Sequence, residues 1–374
     1  MRILSIFGTR PEAIKMAPVI NLLEKTAGIE SRVCTTGQHR EMLNGLLDFF
    51  NVRADHNLNI MKPHQDLIQI TQAILSSIGK IINEEKPTRV LVHGDTTTTF
   101  AGALAAFYLK IPVGHIEAGL RTGNIHAPFP EEINRKFTDT LCDLHFAPTQ
   151  NAANNLLNEG IDSSKISITG NTGIDALFHA VKSIRSSGKL EATLMAKFPF
   201  LATGKRIILV TGHRRENFGR GFEQICAALD KLSTRNDVEI VYPVHLNPNV
   251  QEPVHRILGH KSNIHLLEPL DYLPFVFLME KCYLIITDSG GVQEEAPSLG
   301  KPVLTMRDVS ERPEAIEKGT VKLVGTDSGA IINETNSLLD NPKTYADMCQ
   351  VHNPYGDGKA ASRIVREIRR YHDK

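Results

Sequence analysis

Nothing in this chain supplies a global electrostatic bias: Lys plus Arg and Asp plus Glu each number 42 among 374 residues. That balance argues against nucleic acid or an anionic membrane as partner, and it leaves any anion recognition to local sites. Cysteine is scarce as well. The five residues Cys34, Cys142, Cys226, Cys282 and Cys349 form neither a CxxC pair nor a metal-like Cys/His cluster, so reduced, buried thiols are expected. Long apolar runs are missing: none approaches the ~18 residues of a membrane span, and the opening MRILSIF is short for a signal peptide. Short repeats and low-complexity tracts are also missing, which disfavours solenoids and disordered scaffolds. A soluble cytoplasmic protein with a small partner is expected.

What the chain does contain is an alternation of short apolar runs with helical patterns. RILSIF precedes a helix from about Glu12, SRVCTT one after Gln38, RVLVH one from about Thr97 and PVGHIE one from Glu131. This rhythm predicts an α/β fold with a parallel sheet wrapped by helices. It begins again at RIILVTG and continues through VEIVYP, YLIITD and PVLTM, so two doubly wound domains are expected, in keeping with the length. Residues 185–205 lose the rhythm and gather Gly, Ser and Pro, as a connection or irregular helix would. A hinge nearer Gly170 is the other placement.

In an open parallel sheet, ligands sit beyond the carboxyl ends of the strands. The expected rim of the first sheet holds Gly8, Thr9, Arg10, Lys15, His93, Gly94, Asp95, Glu117 and Arg121. That of the second holds His213, Arg214, Arg215, His245, Asp288, Ser289, Gly290 and Gly291. The first turn, GTRPEAIK, lacks GxGxxG, and Arg10 stands where a close-approach glycine would be needed, which disfavours a nicotinamide cofactor. A helix opening at Pro11, with free N–H groups, Arg10 and Lys15, suits a diphosphate instead; Pro and Glu are equally ordinary helix openers. RPEA recurs at 312–315 and reads as helix grammar first, with Arg312 a second candidate for an anion.

In TDSGGVQEEAPSLGKPV, the small residues Ser289, Gly290 and Gly291 would let a phosphate approach backbone donors. Glu294 reads as compensation of the helix dipole, and Glu295 as an acceptor for a ribose diol. The threonines of HGDTTTTF suit capping, for which Asp95 is also a fit. Glu131 and Glu132 follow Pro130 and suit the positive end of a helix, an explanation unavailable to Glu117. Asp95, Glu117 and Glu131 share one expected rim, where proton-transfer groups would converge on a substrate.

The ordered blocks GTRPEAIKMAP, HGDTTT, HIEAGLRT, PEEINR, TGHRREN and TDSGGVQEEAPSLGKPVL resemble the bacterial non-hydrolysing UDP-N-acetylglucosamine 2-epimerase family over almost the whole chain. The resemblance implies a glycosyltransferase-B-like fold, two Rossmann-like domains facing across a cleft. These would span residues 1–170 and 171–356, with the last helix, 357–374, packing back on the first. It also implies reversible conversion of UDP-N-acetylglucosamine to UDP-N-acetylmannosamine for surface polysaccharides, by a homodimer that needs no nicotinamide or metal. A hydrolysing relative, releasing free N-acetylmannosamine and UDP, is the alternative.

By motif match the catalytic groups would be Asp95, Glu117 and Glu131, any of which fits the role of base, with His213 assisting departure of the diphosphate. UDP binding carries over to Arg10, Lys15, His213, Phe275, Ser289, Gly290, Gly291, Glu295 and Arg312. Phe275 would face the uracil, a core role beside Phe277 being the alternative. A second UDP-N-acetylglucosamine, acting as activator, would meet Gln38, His39, Gln65, Arg214 and His245. Glu41 and His64 depart from the family's usual glutamine and arginine, and an acid beside a diphosphate would repel it.

Overall fold

Aliphatic runs too short for helices become strands, each followed by a helix that returns the chain for another parallel pairing. The computed structural model describes residues 1–37, 40–61, 65–308, 313–350 and 353–372. It divides into two units, Met1–Ala176 with Tyr355–Lys374, and Leu177–Pro354. In the first, β1 (Arg2–Phe7), β2 (Glu30–Thr35), β3 (His56–Asn57), β4 (Arg89–His93), β5 (Val113–Ile116), β6 (Leu144–Ala147) and β7 (Ile166–Ile168) form one sheet. Its order is β3-β2-β1-β4-β5-β6-β7. In the second, β8 (Arg206–Thr211), β9 (Val238–Pro243), β10 (Ile264–Leu267), β11 (Leu284–Thr287), β12 (Val303–Thr305) and β13 (Val321–Leu323) are ordered β10-β9-β8-β11-β12-β13. Every pairing is parallel.

Strand order reverses between β1 and β4 and again between β8 and β11, so each unit has a switch point where successive loops part and a ligand can enter. Helices cover both faces, which is why β4 is buried at all five positions. In the first unit Leu4, Ile6, Val90 and Val92 pack with Ile74, Ile78 and Ala101 of the helices. In the second, Ile208, Val210 and Ile240 pack with Phe222, Ile225 and Leu229. These rigid cores fix the strand ends from which the polar loops spring.

Residues 185–205 do not form a connection between the units. The helix Thr172–Ser186 runs across the division at 176/177, Ser187 caps a further helix, Gly188–Lys197, and a 3-10 turn at Pro199–Thr203 leads into β8. Gly, Ser and Pro serve there as cap and stop residues rather than as a linker. The terminal helix Ala360–His372 belongs to the first unit, where the N–H groups of Ala360 and Ala361 donate to Asp175 at 3.1 and 3.0 Å and Ile364, Val365 and Ile368 are buried. No helix among the described residues is long and apolar enough to cross a membrane.

Candidate active site

The loop after β1 opens the helix Arg10–Glu24 with a capping box: Thr9 accepts from Glu12 N–H, and the Glu12 carboxylate accepts from the N–H groups of Gly8 and Thr9 at 3.0 and 2.7 Å. The backbone donors of residues 8 and 9, just ahead of the helix, are therefore occupied. The other Glu12 oxygen accepts from Thr96 and Thr99 hydroxyls at 2.7 and 3.0 Å, so one buried carboxylate ties the loop after β1 to the loop after β4. Thr96, not Asp95, caps the helix Thr97–Tyr108. Asp95 is thereby released from a capping role.

Glu117 is the first residue after β5 and adopts φ +67°, a left-handed conformation that costs a non-glycine residue about 1–2 kcal/mol. Its N–H donates to Phe146 carbonyl at 3.1 Å, and the turn delivers its carboxylate to the Lys15 ammonium. His93 Nε2, at the end of β4, lies 3.9 Å from the same carboxylate. Neither His93 ring nitrogen has a hydrogen-bond partner among the described residues, and burial pushes the ring down to about 3 against the pull of Glu117. A neutral imidazole therefore lies beside an ion pair.

Glu131 begins the helix Glu131–Leu141, whose next residues do separate work. Glu132 is fully buried and accepts from the N–H groups of Thr122 and Gly123 at 3.1 Å, so it clasps the preceding loop rather than merely offsetting the helix dipole. Asn134 donates to the Asp95 carbonyl at 3.0 Å and Arg135 to the Asp95 carboxylate at 2.6 Å. Burial raises Asp95 to about 6; Arg135 opposes the rise, the charges of Glu117 and Glu131 add to it, and Lys15 opposes it. Asp95, Glu117, Glu131 and Lys15 thus share one electrostatic neighbourhood at the carboxyl ends of β4 and β5. Such a set can hold a proton at one carboxyl while another stays ionised.

In the second unit, Asp288 follows β11 and is fully buried. Its Oδ2 accepts from the N–H groups of His213 and Arg214 at 2.8 Å each, while its Oδ1 lies 3.3 Å from His213 Nδ1. Burial lowers His213 although Asp288 opposes the shift. The exposed His245 ring lies against His213, centroids 5.6 Å apart and planes 22° from parallel. Ser289 precedes the short helix Gly290–Glu295 and makes no side-chain cap, and a Cβ at Gly291 would point into open space. Packing among the described residues does not demand that glycine.

Phe275 is half-buried in the first turn of the helix Tyr272–Lys281, whereas Phe277 is in the core. Arg10 and Glu295 are half-buried at a helix start and a helix end, and Gln65 is half-buried just before the helix Leu67–Glu85. Gln38, His39, His64 and Arg312 lie outside the described residues, as does the Glu41 side chain. Three side chains that touch these groups had no role assigned from sequence: His93, Arg135 and Asp288. Their signal was position at a strand end or one turn into a helix, and their partners are 24 to 75 residues away in the chain. No group of three or more His, Cys, Asp or Glu among the described residues could hold a metal ion.

The sequence model of the family described as UDP-N-acetylglucosamine 2-epimerase matches residues 21–369. The UDP-N-acetylglucosamine 2-epimerase of Escherichia coli K12 is 57% identical over 370 residues, covering 99% of this chain and 98% of that protein. The crystal structure of UDP-GlcNAc 2-epimerase from Neisseria meningitidis bound to UDP-GlcNAc matches with a TM-score of 0.93 at 51% identity, over 99% of this chain and 100% of that one. That of the Methanocaldococcus jannaschii UDP-GlcNAc 2-epimerase in complex with UDP-GlcNAc and UDP matches with a TM-score of 0.82 at 37% identity, over 99% and 100%.

Proposed function

The chain belongs to the UDP-N-acetylglucosamine 2-epimerase family, and from that premise we propose that it interconverts UDP-N-acetylglucosamine and UDP-N-acetylmannosamine reversibly, without hydrolysis, by expelling and re-adding UDP. The observation that carries this reading is the set of carboxylates around Asp95 and Glu117, each paired with a cation and each feeling the other's charge. The hydrogen on the second sugar carbon is not next to a carbonyl, so no carboxylate can remove it from the intact substrate. As the anomeric C–O bond breaks, its electron pair leaves with UDP and positive charge develops on the ring. The adjacent C–H then becomes acidic enough for a carboxylate to take the proton, and a glycal forms. Protonation of the glycal on its opposite face and re-addition of UDP give the epimer.

Asp95, Glu117 and Glu131 supply the acid and base, any of them fitting the role of base, and His213 assists departure of the diphosphate. Arg10, Lys15, Ser289, Gly290, Gly291, Glu295 and Arg312 hold UDP, and Phe275 faces the uracil. Cations and backbone donors fixed before the bond breaks stabilise the charge that develops on UDP. Proton NMR of UDP-N-acetylglucosamine incubated with the protein in heavy water tests the reading. Epimer with deuterium at the second carbon is the expected product; free N-acetylmannosamine with UDP would instead establish the hydrolysing reaction.

Two narrower proposals accompany it. A second substrate molecule acts as activator at Gln38, His39, Gln65, Arg214 and His245, supported by the contact of His245 with His213 and by the Asp288 carboxylate shared between His213 and Arg214. Sigmoidal initial rates are expected, and a plain hyperbola would remove the activator. The protein works as a cytoplasmic homodimer, for which exposed Phe107, Tyr108 and Phe137 on two adjoining helices offer an apolar surface. Light scattering at working concentration should give twice the chain mass, and a single-chain mass would refute it.

A further inference from the structure

His115 sits in the middle of β5 with no exposed surface, between two groups that can only accept hydrogen bonds. Its Nδ1 is 2.6 Å from Asp139 Oδ1 and its Nε2 is 2.7 Å from the Gly94 carbonyl. An imidazole so placed must donate from both nitrogens, and it then carries a positive charge. Asp139 Oδ2 also accepts from Arg121 at 2.8 Å, and Arg121 in turn is shared with Glu159 at 2.7 Å, which Lys136 also approaches at 3.5 Å.

The contacts of this group lead to both catalytic loops. Gly94, whose carbonyl His115 holds, has φ +71° and immediately precedes Asp95. Asp139 Oδ2 also accepts from the Gly119 N–H, at 3.3 Å, two residues after Glu117. Gly119 has φ +85°, and a Cβ there would come within 2.2 Å of the Ala152 carbonyl, so the loop has no slack on that side. His145, fully buried on β6, is 2.8 Å from the Asp139 carbonyl and fixes the helix that carries Asp139. One buried cation thus braces the approach to Asp95 and, through its carboxylate, the exit from Glu117.

We propose that His115 is a positioning residue, doubly protonated between Asp139 and the Gly94 carbonyl, that sets Asp95 and Glu117 at the geometry the reaction needs. The role rests on the epimerase reading, but the proton count does not. Two substitutions separate its contacts: His115→Asn keeps a donor near the Nδ1 position, and His115→Gln keeps one near Nε2. Both should lower kcat about tenfold or more while KM stays within about threefold, because the substrate is still bound but the carboxylates are misplaced. Nitrogen-15 NMR of histidine-labelled wild-type protein, under the conditions of the activity assay, should show two N–H groups on His115. A singly protonated ring overturns the proposal whether or not the variants fold or the wild type turns over. Unchanged kcat in both folded variants, or a loss confined to KM, overturns it as well. Wild-type protein inert towards UDP-N-acetylglucosamine would sink the epimerase reading while leaving the proton count standing.

Discussion

Arg135 donates to Asp95 Oδ2 at 2.6 Å, and it is the foremost group opposing the upward push of burial on that carboxyl. Replacing the guanidinium with a neutral amide, R135Q, should therefore carry Asp95 above about 6. Whichever limb of the pH–rate profile Asp95 governs shifts upward, by about one pH unit for a lost contact of this kind. If Asp95 works ionised, R135Q is weakest in acid and recovers towards base; if it works protonated, the basic limb extends. Profiles of kcat/KM that superimpose after scaling would exclude Asp95 from the titrating groups.

The raised value of Asp95 also sets a sign for stability. A carboxyl with a folded-state pKa of about 6 and an unfolded value near 4 binds its proton more tightly in the fold, so its contribution is full in acid and is lost as pH rises through the folded value. Asp95→Asn removes the charge with little change of shape. At about pH 7.5 the variant should be more stable than wild type by on the order of 1–2 kcal/mol, discounted for partial exposure of the side chain, and near pH 4 the gain should vanish. Urea titrations at the two pH values decide. A variant less stable at the higher pH would mean that attraction to Arg135 outweighs burial.

Asp288 holds the loop after β8 by accepting from the N–H groups of His213 and Arg214. In Asp288→Asn the one amide oxygen can still take both N–H groups, as Oδ2 does, but without the charge that makes such bonds roughly twice as strong. His213 also loses the negative charge that opposes its burial, so its pKa should fall further. Calorimetry should show UDP bound about tenfold more weakly, and an NMR titration should place His213 below its wild-type value. Unchanged affinity together with an upward shift would contradict both arguments.

The two sheets were legible from sequence because RILSIF, RVLVH, RIILVT and VEIVYP are predominantly apolar runs, with few polar residues, and both faces of those strands are covered. β3 and β7, of two and three residues, carry no such period, and β6 and β10 hide histidines in their runs. Candidates for the site could be proposed because strand ends gather ligands, but pairings could not. That Lys15 reaches Glu117, or that Arg135 meets Asp95, depends on β1, β4 and β5 being neighbours and on a helix returning beside them. The capping box around Glu12 was written in TRPE. Its second use, the bonds to Thr96 and Thr99, needed the fold.

His93 gives the sharpest test of how dry the floor of this site is. Its ring is 3% exposed, with neither nitrogen partnered among the described residues. A histidine driven down to about 3 in the fold but titrating near 6.5 when unfolded favours the unfolded chain in acid. Its contribution is therefore full above the unfolded value and falls away as pH drops towards the folded one, by up to about 1.4 kcal/mol per pH unit. His93→Leu removes the titration, so its stability relative to wild type should be about 1 kcal/mol more favourable at pH 5.5 than at pH 7.5. Parallel stability curves for the two proteins would mean that the ring protonates normally within the fold. The imidazolium would then pair with Glu117, 3.9 Å away, and compete with Lys15 for the carboxylate in acid.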